Sequence, residues 1–245
     1  MKIGFLLPDG VGVRNYLYSN LINIINKKHE IFVISTLTNK RAIQNISDEM
    51  GCDILFHPLP QYSEKAIVKF LRESATYARL IKSRELQNNP TLMDNWRPNR
   101  DSFSKGLFFN LVEFVGRRAS LDRGSITSLD ERQEASLRKG SCYRECKTLL
   151  EEITPDVLLC THQRAINAVP LFLAAKDKGI RTVSAIYSWD NLPKARLLTK
   201  SDEYLVWSKY MKEELETYYP EESFKPIHIT GTPQFEYYSD ESIYC

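Results

Sequence analysis

The sequence predicts an α/β protein, a Rossmann-like parallel sheet of about seven strands that carries a mostly helical insertion. Three observations predict it. Short apolar or β-branched runs recur along the chain, segments with helical period alternate with them at both ends, and between about residues 63 and 153 long helical stretches replace the strands.

Lys2-Ile3-Gly4-Phe5-Leu6-Leu7 is an apolar run closed by Pro8-Asp9-Gly10, the pattern of a buried strand leaving its sheet at a turn. Tyr16, Leu17, Leu21, Ile24 and Ile25 then recur at helical spacing through Asn26, and Glu30-Ile31-Phe32-Val33-Ile34 suits a second buried strand. A polar helix around 40–50, stopped by Gly51, and a third strand at Asp53-Ile54-Leu55-Phe56 repeat the unit. The insertion offers three helices, 66–87, 105–119 and 128–152, with a polar stretch at 88–102 expected to be a mobile loop. Strands at 156–160, 181–187, 203–207 and 227–230 follow, with helices near 165–178 and 209–219 and Gly179 as a helix stop.

Composition narrows the function classes. The 245 residues are 42% hydrophobic and 26% charged, which excludes a disordered or fibrous chain. A chain of this length buries roughly 70% of its unfolded surface, so its core needs no metal or disulfide. Lys and Arg number 33 against 31 Asp and Glu, and a net charge of +2 gives no general drive toward nucleic acid. Between Arg97 and Lys147, however, eleven basic residues face seven acidic ones, a local +4. Cys52, Cys142, Cys146, Cys160 and Cys245 are irregularly spaced with no secretory signal before them, so a reducing cytosol is the expected compartment. Apolar runs such as 168–175 fall far short of the roughly 18 residues of a membrane span.

Ligands of parallel sheets bind beyond the carboxyl ends of strands, which directs attention to 9–14, His57, 161–164, 188–191, Ser208 and 231–234. In the first loop Asp9, Gly10, Gly12 and Arg14 are the candidates. Two glycines allow backbone to approach a ligand at a helix start, or simply make a tight turn. A dinucleotide fingerprint has a third glycine where this chain has Asn15, and the second strand ends at Ser35-Thr36-Leu37 without an acid, which disfavours nicotinamide and flavin cofactors. Cys142 and Cys146 share a helix face without a nearby histidine, and no zinc spacing occurs, so they read as core residues and no metal is expected. His162, directly after a buried strand in Cys160-Thr161-His162-Gln163-Arg164, is either a general base or a helix-capping histidine. The helix at 105–119 carries Leu107, Phe108, Leu111, Val112, Phe114 and Val115 ahead of Arg117 and Arg118, and suits either a bundle core or an anionic membrane surface. The last quarter brings Ser188-Trp189-Asp190-Asn191, Trp207-Ser208 and Thr230-Gly231-Thr232-Pro233-Gln234-Phe235 to three neighbouring strand ends, which is how a polar pocket is built; Trp189 and Trp207 line it or pack in the core.

Ser-Trp-Asp-Asn after a strand, a strand ending in Trp207, a helix and then Thr-Gly-Thr-Pro-Gln-Phe resembles the end of the N-terminal domain of GT-B glycosyltransferases of bacterial surface-polysaccharide synthesis and their glycerophosphotransferase-like relatives. The resemblance is specific from Tyr187 to Glu236 and loose over the α/β scaffold, and it does not extend to the helical insertion. It implies an acceptor domain at 1–231, the start of an interdomain linker at 232–245, and a nucleotide-sugar donor domain that this chain lacks. The implied function is the acceptor-binding half of a glycosyltransferase, cytoplasmic or peripheral at the inner face of the membrane, with a glycan or lipid-linked acceptor and no cofactor. Alternatives are a non-catalytic binding or assembly subunit, a truncated remnant, or a domain related to UDP-sugar epimerases. His162 and Asp190 are the candidate bases, and Asp9, Gly10, Gly12, Arg14, Arg164, Ser188, Trp189, Asn191, Thr232 and Gln234 the candidate substrate contacts.

Overall fold

The computed structural model describes residues 1–51 and 54–239. Seven strands form one parallel sheet in the order β3-β2-β1-β4-β5-β6-β7: β1 (Lys2–Leu7), β2 (Glu30–Ser35), β3 (Leu55–Pro58), β4 (Val157–Cys160), β5 (Arg181–Ala185), β6 (Glu203–Val206) and β7 (Ile227–Ile229). The third strand begins later than its residues suggest. Leu55 to Pro58 pair with Phe32 to Ser35, so His57 lies inside β3 rather than beyond it; Asp53 lies outside the described residues.

The apolar runs of β1 and β2 contribute to both faces. Leu6, Phe32, Ile34 and Leu158 face one core layer, and Phe5, Leu7, Ile31 and Val33 the other. Over the second face lie α1 (Gly10–Gly12), a wide π-type turn at Val13–Leu17, α2 (Asn20–Asn26) and α3 (Lys40–Met50). Tyr16, Leu17, Ile22 and Ile46 fill that layer. Asn39 caps α3 by accepting from the backbone N–H of Arg41 and Ala42, and Gly51 ends it at φ +62°.

The insertion contains α4 (Ala66–Gln87), α5 (Phe103–Ala119) and α6 (Arg123–Leu137), and α7 (Ser141–Ile153) follows. The single helix expected over 128–152 is therefore two. Asp122 caps α6, and the chain breaks at residues 138–140, where the Gly140 N–H closes onto the Leu137 carbonyl. Cys142, Cys146, Leu150 and Ile153 bring α7 against the sheet beside α8 (Val169–Asp177), whereas Leu71, Ala75, Ala78, Ala119, Ile126 and Leu129 make a separate core among α4, α5 and α6. Gly116 permits the approach of α5 to α4, since a Cβ there would stand 2.8 Å from the Tyr77 ring and 2.9 Å from the Ser74 carbonyl. The expected mobile loop is packed: Pro90–Asn95 forms a 3₁₀ turn, the Trp96 ring lies tilted against Tyr77 and edge-on to Phe109, and its Nε1 donates to Glu113.

Beyond β5, the connection at 186–202 has no helix and is held by polar contacts, Ser184 Oγ to Thr199 and the Thr182 hydroxyl to Asp202 among them. α9 (Lys209–Tyr218), capped by Ser208, buries Met211 and Leu215 against Tyr204 and Val206 of β6. No helix among the described residues is long and apolar enough to cross a membrane.

Candidate functional site

Doubly wound sheets open a crevice where neighbouring strands send their connections in opposite directions. Here that point lies between β1 and β4, because β1 leads toward β2 on one side and β4 toward β5 on the other. The first residues past the two strand ends meet. Asp9 caps α1, its Oδ1 accepting from the backbone N–H of Val11 and Gly12 at 3.1 Å each, and its Oδ2 faces Nδ1 of His162. The loops are also tied through Thr161, whose N–H and hydroxyl reach the Leu6 carbonyl, and through Asn167, whose amide donates to the Pro8 carbonyl.

Burial by itself raises the Asp9 carboxyl, but the His162 hydrogen bond, the Gly12 amide, the His162 charge and the Val11 amide together hold it below its ordinary value. In the neutral form of the imidazole, a carboxylate facing Nδ1 favours the proton there, and Nε2 is then the nitrogen that carries the lone pair. Nε2 has no hydrogen-bond partner and is shielded from solvent; the Tyr187 ring packs 4.6 Å from the imidazole, centroid to centroid. On the other side of Asp9, a cleft of about 430 Å³ opens at the ends of β1 and β2, lined by Asp9, Gly10, Val13, Ser35 and Thr36.

The two glycines of the loop divide the roles open to them. A Cβ on Gly12 would lie 2.5 Å from the Thr161 hydroxyl, so Gly12 is needed for loop packing, while Gly10 faces open space. Arg14 is exposed and donates to Asn15, whose own amide donates to Gln234 at 3.1 Å. Glu236 accepts from the Asn20 N–H, so this C-terminal stretch lies along the start of α2. Thr232 lines a groove of about 340 Å³ with Leu159, Leu205 and Trp207, and Trp207 packs on Phe235.

After β5 a second polar group forms. Asp190 accepts from the Ser188 hydroxyl at 2.7 Å and pairs with Lys194 four residues on, within the same turn segment. Burial tends to raise the Asp190 carboxyl, yet Lys194 and Ser188 bring it below the ordinary value. Asp190 therefore has its own partners, and the carboxylate against His162 is Asp9. Arg164 donates to Asn191 at 2.8 Å; Trp189, a candidate core residue in the sequence, is 67% exposed.

Sequence reasoning assigned no role to three residues here. Gln163, fully buried, accepts from the Tyr187 N–H through its side chain and from Leu198 and Thr199 through its carbonyl, which clamps the β5–β6 connection to β4. Glu214 on α9 has a shielded, unpartnered Oε2, and burial, then Asp190, pushes its carboxyl up to about 7. Arg196 is half-buried, and burial first, then the charges of Arg164 and Arg72, lowers its guanidinium pKa against the pull of Glu73. The spacing of Lys194 from Asp190 was readable as an i, i+4 pair, but nothing local marks Glu214 or Arg196. Among the described residues no group of His, Cys, Asp and Glu is placed to hold a metal ion.

No protein family, curated protein or solved structure matches this chain.

Proposed function

We propose that this chain is the acceptor-binding half of a nucleotide-sugar-dependent glycosyltransferase acting in surface glycan synthesis. The observation that carries the reading is the His162–Asp9 pair at the switch point of the sheet, beside an open cleft. The motif residues from Tyr187 to Glu236 support it, since they gather on the carboxyl ends of β5, β6 and β7.

In transfer, the acceptor oxygen bonds to the anomeric carbon of the donor while its proton passes to Nε2 of His162. The bond from that carbon to the nucleoside diphosphate breaks with its electron pair leaving on the diphosphate. Asp9 keeps the imidazole in the productive tautomer and stabilises the imidazolium that forms. The reading calls for a donor-binding wall facing this edge, because charge developing on the diphosphate needs fixed hydrogen-bond donors and exclusion of water.

The test supplies a donor domain, in cis or as a second chain, and follows labelled sugar into glycan or lipid-linked acceptors. His162→Ala and Asp9→Asn are each expected to lower transfer on the order of a hundredfold. Full transfer by both variants overturns the role of the pair, and turnover at ordinary rates by the 245-residue chain alone overturns the half-enzyme reading.

One observation favours a second reading, a binding subunit that presents acceptor at a membrane. Phe109, Val112, Gly116 and Ala119 turn α5 toward the protein, while Phe103, Leu107, Leu111 and Phe114 remain exposed beside exposed Arg117 and Arg118.

A further inference from the structure

Cys142 and Cys146 are four residues apart on α7, and their sulfurs lie 4.0 Å from each other. Their surroundings differ. Cys146 is fully enclosed in the core layer with Leu150, Leu158 and Cys160, whereas Cys142 is 7% exposed and lines a cavity of about 90 Å³ with Tyr62, Lys65 and Tyr143. A cavity of that size has room for a small polar molecule such as water or hydrogen peroxide. Among the described residues of its lining, Lys65 is the one charged side chain.

Position in the helix separates the two thiols further. Cys142 is the second residue of α7, in the turn whose N–H groups have no acceptor within the helix, and Gly140 supplies no side-chain cap. That end of the helix dipole stabilises a thiolate. Cys146, one turn further in, is placed to donate to it. This hydrogen bond outweighs burial and the Glu145 charge and holds the Cys142 thiol below its ordinary value, while the same bond and burial push Cys146 up. In its thiol form Cys142 meets the Pro60 carbonyl instead, 3.7 Å away. A nucleophilic sulfur at a cavity with a protonated sulfur behind it is the arrangement of an attacking and a resolving thiol.

The backbone permits a bond between them at a local cost. Four residues of helix separate Cα atoms by about 6 Å, inside the range of disulfides. Side chains at this spacing hold their Cβ atoms about 5–6 Å apart, where a disulfide needs about 3.5–4.5 Å, so closure draws them together by roughly 1–2 Å. The first turn yields most easily, because no helical N–H bond fixes Cys142. Its neighbours move with it: Arg138 and Tyr143 both donate to Asp177 of α8, at 2.7 to 2.9 Å.

We propose that Cys142 and Cys146 form a peroxide-sensitive thiol pair, in which Cys142 is oxidised and Cys146 closes on it as a reversible disulfide that opens the first turn of α7. In the first step the Cys142 sulfur bonds to one peroxide oxygen, the O–O bond breaks, and the other oxygen leaves with the electron pair as hydroxide. In the second the Cys146 sulfur bonds to the Cys142 sulfur, the S–O bond breaks, and the hydroxyl leaves as water with the Cys146 proton. Two thiols are oxidised and one peroxide is reduced to two waters, and a thiol reductant reverses the bond. The pair shares no residue with the His162 site, so it does not depend on the transferase reading.

The test treats the folded 245-residue chain with hydrogen peroxide, blocks the remaining thiols and digests it with trypsin without reduction. Trypsin cuts after Lys139, Arg144 and Lys147, which places the two cysteines on separate peptides, 140–144 and 145–147. These are expected to be recovered joined, and to part on adding dithiothreitol. Cys146→Ser is expected to leave Cys142 as a sulfenic acid that dimedone traps at least tenfold faster than Cys160, which is fully enclosed and has its thiol pushed up to about 12. Cys142→Ser is expected to give neither the joined peptides nor a dimedone adduct at Cys146. Hydrogen exchange of the oxidised wild type is expected to quicken at least tenfold across 138–144. Joined peptides that form only in urea overturn the proposal, since the folded geometry is then not what closes the bond. Equal trapping at Cys142 and Cys160 also overturns it, and so does a disulfide that leaves exchange at 138–144 unchanged.

Discussion

Asp130 on α6 is buried at the junction of the insertion and the sheet, and replacing it with asparagine tests what holds the two together. Its Oδ1 accepts from Arg79 of α4 at 3.1 Å and its Oδ2 from Arg79 at 2.5 Å and Lys200 at 2.7 Å; Arg79 also reaches Glu221 at 2.7 Å. Asparagine keeps the shape and removes the charge, leaving Arg79 with Glu221 alone and Lys200 facing a neutral amide. Breaking a buried pair from one side costs about 3–5 kcal/mol. An independent route gives a similar size. Burial alone raises the Asp130 carboxyl, but Arg79 and Lys200 outweigh it and hold the group at about 2. Against an unfolded value of about 3.9, that depression is worth roughly 2–3 kcal/mol. About 3 kcal/mol corresponds to a melting temperature lower by on the order of 10 °C in a chain this long. Because the folded value is the lower one, the contribution is complete above about pH 5 and disappears as pH falls through 3.9 toward 2. Urea unfolding followed by circular dichroism is expected to separate wild type and Asp130→Asn by about 3 kcal/mol at pH 7 and by roughly half of that at pH 3. A difference under about 1 kcal/mol at pH 7, or one that does not change with pH, refutes this account of the network.

Glu214→Gln is expected to act oppositely: its carboxyl, pushed up to about 7, is neutral in the fold at acid pH and is forced to ionise there as pH rises. Wild-type stability therefore falls between about pH 4.5 and 7, and the glutamine variant is expected to gain on the order of 2 kcal/mol at pH 8.5 and little at pH 5, read by urea titration at both. Gly12→Ala drives a methyl against Thr161 and is expected to cost about 1–3 kcal/mol, while Gly10→Ala, facing open space, leaves unfolding unchanged; equal effects contradict the division of roles between them. Sedimentation with anionic vesicles is expected to show binding at low salt that Arg117→Glu plus Arg118→Glu weakens at least tenfold, at about 1 kcal/mol per basic residue. No association at low salt leaves the exposed face of α5 without a membrane role.

Sequence alone determined the sheet. The runs at Lys2–Leu7 and Glu30–Ser35 are apolar on both faces, and that requirement of a strand buried between two layers is local, so it is written in consecutive residues. The stops at Gly51 and Gly179 were readable for the same reason, each taking the positive φ that a helix end asks of one residue. The break before α7 was not, because apolar spacing continues through it and only the packing of Cys142 and Cys146 on the sheet tells the two helices apart. Trp96 likewise converts a polar stretch into a packed one by finding Tyr77 and Phe109, residues the local pattern does not associate with it.

The candidate site divides the same way. Asp9 and His162 were legible as strand-end residues, but their pairing spans 153 positions and follows from strand order, which brings the ends of β1 and β4 together. Asp190 found Lys194 within one turn, an arrangement its spacing contains. Glu214 and Arg196 owe their character to burial and to charges brought in from other elements, Asp190 in one case and Arg164 and Arg72 in the other. Sequence thus determined most of the residues that stand at the sheet edge, His57 excepted, through periodicities of two and 3.6 residues that act along the chain. Tertiary structure decided which of them meet and what charge each carries, because desolvation and Coulomb forces depend on distance in space, which only the folded sheet sets.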